Sequence, residues 1–532
     1  MAIFETLSNE LLFQIFDYLS GETLDLAHLC RVSRRLRWVA TDELYKTLEH
    51  GWYHTELLLR TLIENPHIAA RVHMIDMHAF ADEYDDDNSD DYYRGSSQPS
   101  LENLMIYRQR QQLVGQCVQL LVRGPQEDFR SAVKQSLING LGWGSDTSFA
   151  GMILAVLPQL QCLKIALYEH YDEVHTCQNP LRELYGLDPT HDFLSQWSAT
   201  PAFYDNIRQL DIPGGNFSFF TYFGFPQLAS LTVNLAAREY HNDFHAEPNR
   251  RRSPHDLIHD LRVRLNPFDM HTRRTSGAPL DELVDALHLE QYSERSLGAV
   301  NKLELVLITE REHGGMPPIS DLFRNGSFEL LLSRFRDTSS SLVELRVDVE
   351  AIRCCTFTCL RDGHLRFIRP IVSLSHFHSL RRLEVVQEVI MDDTVRRHPH
   401  MSIDFQGLLP PNLEKLTILY PDGRMVLWLS QLATASSAVP VMKEIELCCV
   451  SSYGRQALWF EDRLGSASKL LRNHHITLTI SDLPCTEPDQ HRTRSIYKPV
   501  WERRERFTAD WENDWSGMRA LFDGAVDVEY NA

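Results

Sequence analysis

The sequence contains no hydrophobic run long enough to cross a lipid bilayer. Its longest near-continuous apolar stretch covers residues 149–157, whereas a membrane-spanning helix needs about 20 apolar residues. Residues 1–10 also lack the basic segment and apolar core of a secretory signal. These absences predict a cytoplasmic or nuclear protein without a membrane partner, whose ten cysteines are reduced and mostly buried.

An excess of basic residues is also lacking. The chain has 53 Lys and Arg against 73 Asp and Glu, which gives a formal net charge of -20. A general nucleic-acid binder needs a basic face, so this balance predicts no nucleic-acid partner. Hydrophobic residues make up 43% and charged residues 24% of the chain, which is an ordinary composition for a soluble protein. The length of 532 residues is enough for several domains or for one elongated repeat domain.

The motifs of common enzyme classes are missing. The glycines at 140–144 are not followed by the Lys and Ser or Thr of a phosphate-binding loop, and Ser145 lacks the flanking glycines of a hydrolase elbow. The best candidates for metal ligands are Cys354, Cys355, Cys359 and His364. Their spacing matches no standard zinc site, so a structural role for these thiols is favoured. The sequence predicts no catalytic residue, metal or cofactor, and a Cys–His pair distant in sequence is the alternative.

Residues 4–49 show three consecutive helical patterns. The first has an apolar stripe at helical spacing, made of Leu11, Leu12, Ile15, Phe16 and Leu19. Thr6 or Ser8 can cap this helix, and Glu10 lies in its first turn, where a negative charge is favoured. Two further patterns follow at 24–30 and 32–48. A unit of about 45 residues buries little core alone, so its apolar surface needs a partner.

This N-terminal stretch resembles an F-box, which begins Leu-Pro-x-Glu-Leu-Leu and continues with Ile-Phe/Leu-x-x-Leu, a Leu-x-x-Val segment and a late aromatic residue. The matching residues are Leu7, Glu10, Leu11, Leu12, Ile15, Phe16, Leu19, Leu26, Leu29, Val32, Ser33, Arg34, Trp38, Leu44 and Tyr45. Ser8 stands where the family usually has Pro, but Ser can cap a helix, so we expect the first helix to remain. An N-terminal helical cap on a larger domain is the alternative.

The resemblance implies docking onto a Skp-type adaptor and, through it, onto cullin and RING subunits of a ubiquitin ligase. We expect eight residues to serve this contact, although some of them must hold the three helices together: Leu7, Leu11, Ile15, Leu19, Leu26, Leu29, Val32 and Trp38. The chain would then be a non-catalytic receptor subunit in the ubiquitin conjugation pathway that presents an unknown target protein. A protein-interaction scaffold that works outside any ligase is the alternative.

A second pattern recurs through the rest of the chain. The copies approximate the form Leu-x-x-Leu-x-Val/Ile, with other apolar residues at some positions and a shorter last copy, and this form predicts a turn followed by a short strand. The copies lie at 157–165, 207–212, 225–233, 300–305, 342–347, 380–385, 413–418, 442–447 and 476–480. Helical patterns lie between them, for example at 280–289, 328–335 and 426–432.

Turn, strand and helix in this order are typical of leucine-rich repeats, and residues 409–416 resemble degenerate repeats of fungal F-box proteins. The predicted fold class is α/β: a three-helix F-box at 1–50, then an irregular leucine-rich-repeat solenoid at 51–494, an arc with a parallel sheet on its concave side. The residues expected at equivalent inward positions are Leu163, Leu210, Leu231, Leu303, Leu345, Leu383, Leu416 and Ile445. Another α/β protein with parallel strands is the alternative.

Three segments do not fit the repeats. Residues 81–97 are rich in Asp, which predicts a disordered insertion, with a calcium loop as the less favoured alternative. Residues 239–277 are polar and locally basic and are predicted to loop out of the solenoid; the sequence at 250–254 suits a kinase site or a localisation signal if it is not simply solvated. Residues 495–532 contain three tryptophans, which predicts a structured C-terminal cap.

Overall fold

A computed structural model describes most of the predicted repeat elements. It covers residues 7–19, 23–51, 55–78, 110–117, 146–166, 204–213, 225, 227–235, 258–265, 283, 300–309, 327–335, 338–351, 368–391, 403–449 and 455–482. The described residues form two compact units: the first runs to Pro213 and includes residues 225 and 227–229, and the second begins at Ser230. The predicted insertion at 81–97 and the predicted cap at 495–532 lie outside the described residues.

The first unit opens with three helices, as the sequence predicts. They are α1 (Asn9–Asp17), α2 (Thr23–Val32) and α3 (Arg34–Lys46). Ser8 caps α1 because its Oγ accepts a hydrogen bond from the Leu11 N–H at 3.3 Å. Ser33 separates α2 from α3 and caps α3, because its Oγ accepts a hydrogen bond from the Leu36 N–H at 3.2 Å.

Four parallel strands follow among the described residues of the first unit, in sequence order. They are β1 (Thr47–Gly51), β2 (Met74–His78), β3 (Cys162–Ala166) and β4 (Gln209–Pro213). The described helices of this part include α4 (Thr55–Glu64), α5 (Pro66–Ala69) and α6 (Asp146–Ala155). Residues 110–117 are also helical, and Tyr204–Asn206 is a 3-10 turn. The first strand follows α3 directly, so the predicted F-box segment already contributes to the sheet.

The second unit contains eight parallel strands among its described residues, again in sequence order. They are β5 (Ser230–Asn234), β6 (Asp260–Leu265), β7 (Lys302–Thr309), β8 (Glu344–Ala351), β9 (Arg382–Val386), β10 (Lys415–Leu419), β11 (Glu444–Cys449) and β12 (Thr477–Asp482). The helices are α7 (Phe328–Ser333), α8 (Gln387–Ile390), α9 (Phe405–Leu408), α10 (Arg424–Thr434), α11 (Arg455–Arg463) and α12 (Gly465–Asn473), with a 3-10 turn at Ser436–Ala438.

Within each unit, the residues predicted at equivalent inward positions occupy equivalent positions in the register of the strands. In the first unit Leu163 pairs with Leu210. In the second, Leu303 pairs with Leu345, Leu345 with Leu383, Leu383 with Leu416, and Leu416 with Ile445. Leu231 joins this register through Leu261, which pairs with both Leu231 and Leu303. All eight are fully or almost fully buried, so the predicted α/β fold of three helices followed by repeated strands and helices is confirmed.

One strand lies where the sequence predicts a disordered insertion. The predicted loop at 239–277 contains β6, and its residues Leu261, Val263 and Leu265 are buried. The prediction is therefore wrong for residues 258–265. The segment follows the same Leu-x-Val alternation as the other strands, but the polar and basic residues around it hide this pattern.

A pair of backbone hydrogen bonds recurs where the strands begin. At β8, the N–H groups of Val343 and Glu344 both donate to the Asn301 carbonyl, at 2.7 and 2.9 Å. The residues that begin β3, β4, β7, β9, β10 and β11 make the same pair of bonds to the preceding repeat. Each repeat thus aligns its strand on its neighbour through a single carbonyl oxygen.

Candidate functional site

The three N-terminal helices have an internal core that includes one of the predicted adaptor contacts. The buried members of this core are Leu12, Phe16, Leu26, Leu36, Val39 and Ala40. Leu26 therefore holds the helices together and is not accessible to a partner. Four other predicted contacts are partly buried against the core: Leu7, Ile15, Leu19 and Leu29.

The remaining three predicted contacts are exposed. Leu11 on α1, Val32 at the end of α2 and Trp38 on α3 each leave a large part of the apolar side chain in solvent. Trp38 is held in place by Phe13, whose ring it meets edge to face at 5.7 Å. Exposed apolar groups on a well-packed helical unit are typical of a protein interface.

Tyr18 is an exposed aromatic residue that the sequence analysis missed. It follows α1 directly and is 91% exposed. Its position seven residues after Leu11 places it two helical turns further along the same face. The seven-residue spacing between Leu11 and Tyr18 can be read from the sequence, but the apolar stripe of the first helix was defined by its leucines, isoleucine and phenylalanine without Tyr18.

Arginines tie the helices together next to the exposed apolar residues. Arg35 on α3 donates to Asn9 Oδ1 at 2.9 Å and to the Leu7 carbonyl, which fixes the start of α1. Arg37 Nε donates to the Cys30 carbonyl at 2.9 Å, which fixes the end of α2. Hydrogen bonds to its own backbone N–H and then to Ser8 lower the pKa of Glu10, so this carboxylate stays ionised in the first turn of α1.

The second unit carries a row of charged side chains along the sheet face opposite its core. Paired residues on neighbouring strands form this central row, which consists of Arg262, Glu304, Arg346, Glu384, Thr417, Glu446 and Thr479. Arg346 Nε lies 3.7 Å from Glu304 and 3.2 Å from Glu384, and Arg346 Nη2 lies 2.6 Å from Asp348. One guanidinium thus serves three carboxylates.

This crowding shifts the ionisation of the central row in both directions. Burial raises the pKa of Glu384, and the neighbouring carboxylates add to this, although Arg346 opposes it. Burial also raises the pKa of Glu446, but hydrogen bonds from Lys415 and Ser481 outweigh it, so the pKa of Glu446 is lowered overall. By count, the central row has three acidic side chains, Glu304, Glu384 and Glu446, against the two arginines Arg262 and Arg346.

The described residues show no metal centre, and burial disfavours the thiolate form of three of their cysteines. No group of three or more His, Cys, Asp and Glu side chains within the described part of the chain is arranged to hold a metal. The four candidate ligands of the sequence analysis (Cys354, Cys355, Cys359 and His364) lie outside the described residues. Burial raises the pKa of Cys117 to about 12 and those of Cys162 and Cys448 to about 11, so these three thiols stay protonated at neutral pH.

Each described helix is too short or too polar to traverse a bilayer. A comparison of the chain with curated proteins finds no match. A comparison with protein families finds that residues 5–49 match the F-box-like family, over the helices that expose Leu11, Val32 and Trp38. The chain therefore carries an F-box-like domain at its N-terminal helices, which supports its being an F-box protein.

Proposed function

We propose that the chain is the substrate-recognition subunit of a Skp–cullin–F-box ubiquitin ligase. The F-box-like domain binds the Skp-type adaptor, and cullin and RING subunits join through that adaptor. The observation that carries this proposal is the F-box-like match on a helical unit that has a buried core but leaves Leu11, Val32 and Trp38 exposed.

In this proposal the adaptor contacts are the exposed and the partly buried residues of the predicted set. Leu11, Val32, Trp38 and the newly found Tyr18 meet the adaptor directly. Leu7, Ile15, Leu19 and Leu29 contribute the parts of their side chains that the core leaves uncovered, and Leu26 acts only through the core.

The proposed mechanism is positional. The repeats hold a target protein while the adaptor and cullin hold the ubiquitin-carrying enzyme, so tethering raises the local concentration of target lysines. No residue of the chain performs chemistry in this mechanism, and no cofactor takes part. The protein would act in the cytoplasm, the nucleus or both.

Co-purification with recombinant adaptor and cullin tests the proposal. Leu11→Asp places a carboxylate in the interface, which should reduce adaptor binding by about 2–5 kcal/mol without disturbing the core. Leu57→Asp is the matched control, since Leu57 is similarly exposed on α4 but lies outside residues 5–49. Both variants should keep the wild-type melting temperature.

We expect the wild type and the Leu57→Asp variant to recover adaptor and cullin together, and the Leu11→Asp variant to recover neither. Adaptor recovered without cullin by the wild type would favour a scaffold that works outside a ligase. Undiminished adaptor recovery by a folded Leu11→Asp variant would show that the helices do not bind the adaptor as proposed.

A further inference from the structure

A groove lies over the strand starts of the second unit. Its volume is about 750 Å³, and its lining residues come from β7 to β11 and the positions just before them. Five neighbouring strands about 4.8 Å apart span roughly 19 Å, which matches about six residues of an extended chain at about 3.3 Å each. The groove therefore has the dimensions of a binding site for a short extended segment.

The outer layer of this groove is positively charged. Four cations line it, and we name them the cationic edge: Lys302, Arg381, Arg382 and Lys443. The side chains of Arg381, Arg382 and Lys443 are 65%, 67% and 72% exposed, whereas their carboxylate partners Glu414 and Glu344 are only 32% and 34% exposed. The cations thus extend further into solvent than the carboxylates do.

The cations of the cationic edge outnumber the carboxylates that pair with them. Glu414 serves both Arg381, at 3.4 Å, and Lys443, and these contacts, with the Lys443 hydrogen bond the strongest, lower its pKa. Glu344 serves Arg382 at 2.7 Å. Among the described residues Lys302 has no carboxylate within ion-pair distance, so four cations face two carboxylates.

The neighbouring charges confine this positive region to the strand starts. Lys415 also lines the groove, but Glu444 and Glu446 hold its Nζ at 3.0 and 2.8 Å and compensate its charge. Further along the strands, the two cations Arg262 and Arg346 face three carboxylates, Glu304, Asp348 and Glu384. An anionic group is therefore attracted to the edge and repelled from the centre of the sheet face.

We propose that the cationic edge binds an acidic segment of the target protein, with side-chain carboxylates or phosphates against Lys302, Arg381, Arg382 and Lys443. The segment runs across the strand starts in extended form, and its side chains over the central row are neutral or basic. This proposal deepens the proposed function and rests on it, since it names the class of target that the second unit presents to the ligase.

Peptide binding to the full chain tests this proposal directly. The probes are fluorescein-labelled peptides of about ten residues, in which Ser alternates with Glu, Gln or Lys, and a fourth in which Gly alternates with phosphoserine. A single-stranded oligonucleotide of similar length is the fifth probe. Fluorescence anisotropy at about 50 mM and about 200 mM salt gives each Kd and its dependence on screening.

The test variant is Lys302→Gln with Arg381→Gln, which leaves Glu414 its contact with Lys443. The matched control is Lys469→Gln with Arg472→Gln, which removes the same charge from exposed positions on α12 of the same unit. We expect the Glu peptide, the phosphoserine peptide or both to bind, about tenfold more weakly to the test variant and equally to wild type and control. The acidic peptide that binds more tightly identifies carboxylate or phosphate as the preferred group.

Equal binding of the Lys peptide, no binding of either acidic peptide, or an unchanged Kd in the test variant would overturn the proposal. Tighter binding of the oligonucleotide than of both acidic peptides would overturn it in favour of a nucleic acid. Adaptor capture with the same variants separates the two proposals, because loss of the adaptor concerns the N-terminal helices and peptide binding needs no adaptor.

Discussion

Trp38→Ala gives a quantitative test of the adaptor surface. A fully buried Trp removes at most about 250 Å² from water, and Trp38 is 48% exposed, so about 120 Å² remains for a partner to cover. At about 25 cal/mol/Å² this area is worth about 3 kcal/mol, and the Ala methyl group retains part of it. We therefore expect a loss of about 2–3 kcal/mol, or roughly 30–150-fold in the adaptor Kd.

The same substitution has a cost within the fold that must be measured separately. Trp38 packs edge to face on Phe13, and losing this contact removes about 0.5–1.5 kcal/mol of stability beyond the area term. Isothermal titration of purified adaptor into each folded variant gives the Kd, and thermal unfolding gives the stability. Trp38→Phe, which keeps an aromatic ring at this position, should recover part of the affinity.

Leu57→Ala is the control, because Leu57 is 52% exposed in the same unit but outside the F-box-like match. Its adaptor Kd should equal that of the wild type. A Trp38→Ala variant that is folded and binds within about threefold of the wild type, a change below about 0.7 kcal/mol, would refute the assignment of this face. An equal loss in the Leu57→Ala variant would show that the effect is not specific to the F-box-like helices.

Three further predictions concern the second unit. Leu416→Ala removes a fully buried residue from the middle of the leucine register and should lower the free energy of unfolding by about 2–5 kcal/mol, measured by urea denaturation against the exposed-face control Thr479→Ala. Glu446→Gln should destabilise the protein at neutral pH, and this effect should disappear as the pH falls through the lowered pKa of Glu446 in the folded state. Glu384→Gln should not destabilise the protein in this way, because burial raises the pKa of Glu384 and disfavours its charged form in the fold. Unfolding curves across acidic and neutral pH distinguish the two variants. Gly407→Ala brings a Cβ to 2.5 Å from Asp404 Oδ2 and so displaces the N-cap of α9, at a cost of about 0.5–2 kcal/mol, whereas Gly465→Ala meets no atom within 4 Å and should be neutral or stabilising.

The leucine register was predictable because it depends on local chemistry. An apolar residue at a turn followed by alternating apolar residues defines each strand without knowledge of its neighbours. The same phrase is present as Val72, Ile75 and Met77 at β2 and as Ile258, Leu261 and Val263 at β6. β6 was missed because the polarity of the flanking sequence outweighed a pattern that burial later confirms.

The division of the F-box-like residues into core and surface was not predictable. Leu11 and Leu12 are adjacent members of one apolar stripe, yet Leu12 is fully buried and Leu11 is exposed. Which side of a wide stripe is covered depends on how α2 and α3 pack against it, and that is a tertiary property. The exposed Tyr18 and Trp38 follow from the same packing.

The cationic edge was equally invisible in the sequence because its parts are far apart. Arg382 and Glu344 are separated by 38 positions and Lys415 and Glu444 by 29, and only the parallel pairing of the strands brings them together. The net charge of -20 would by itself suggest a negative surface. A net charge, however, does not determine how charges are arranged on one sheet face.

The carbonyl that aligns each strand also explains how the repeats tolerate unequal lengths. Because the N–H groups of two successive residues meet one oxygen of the preceding repeat, the register is set at the strand start and is independent of the chain that lies between. Spacings of 29 and 38 residues give the same alignment of leucines. Changes of length that preserve the buried helices between strands therefore leave the alignment of the sheet intact, so repeats of unequal length can share one sheet geometry.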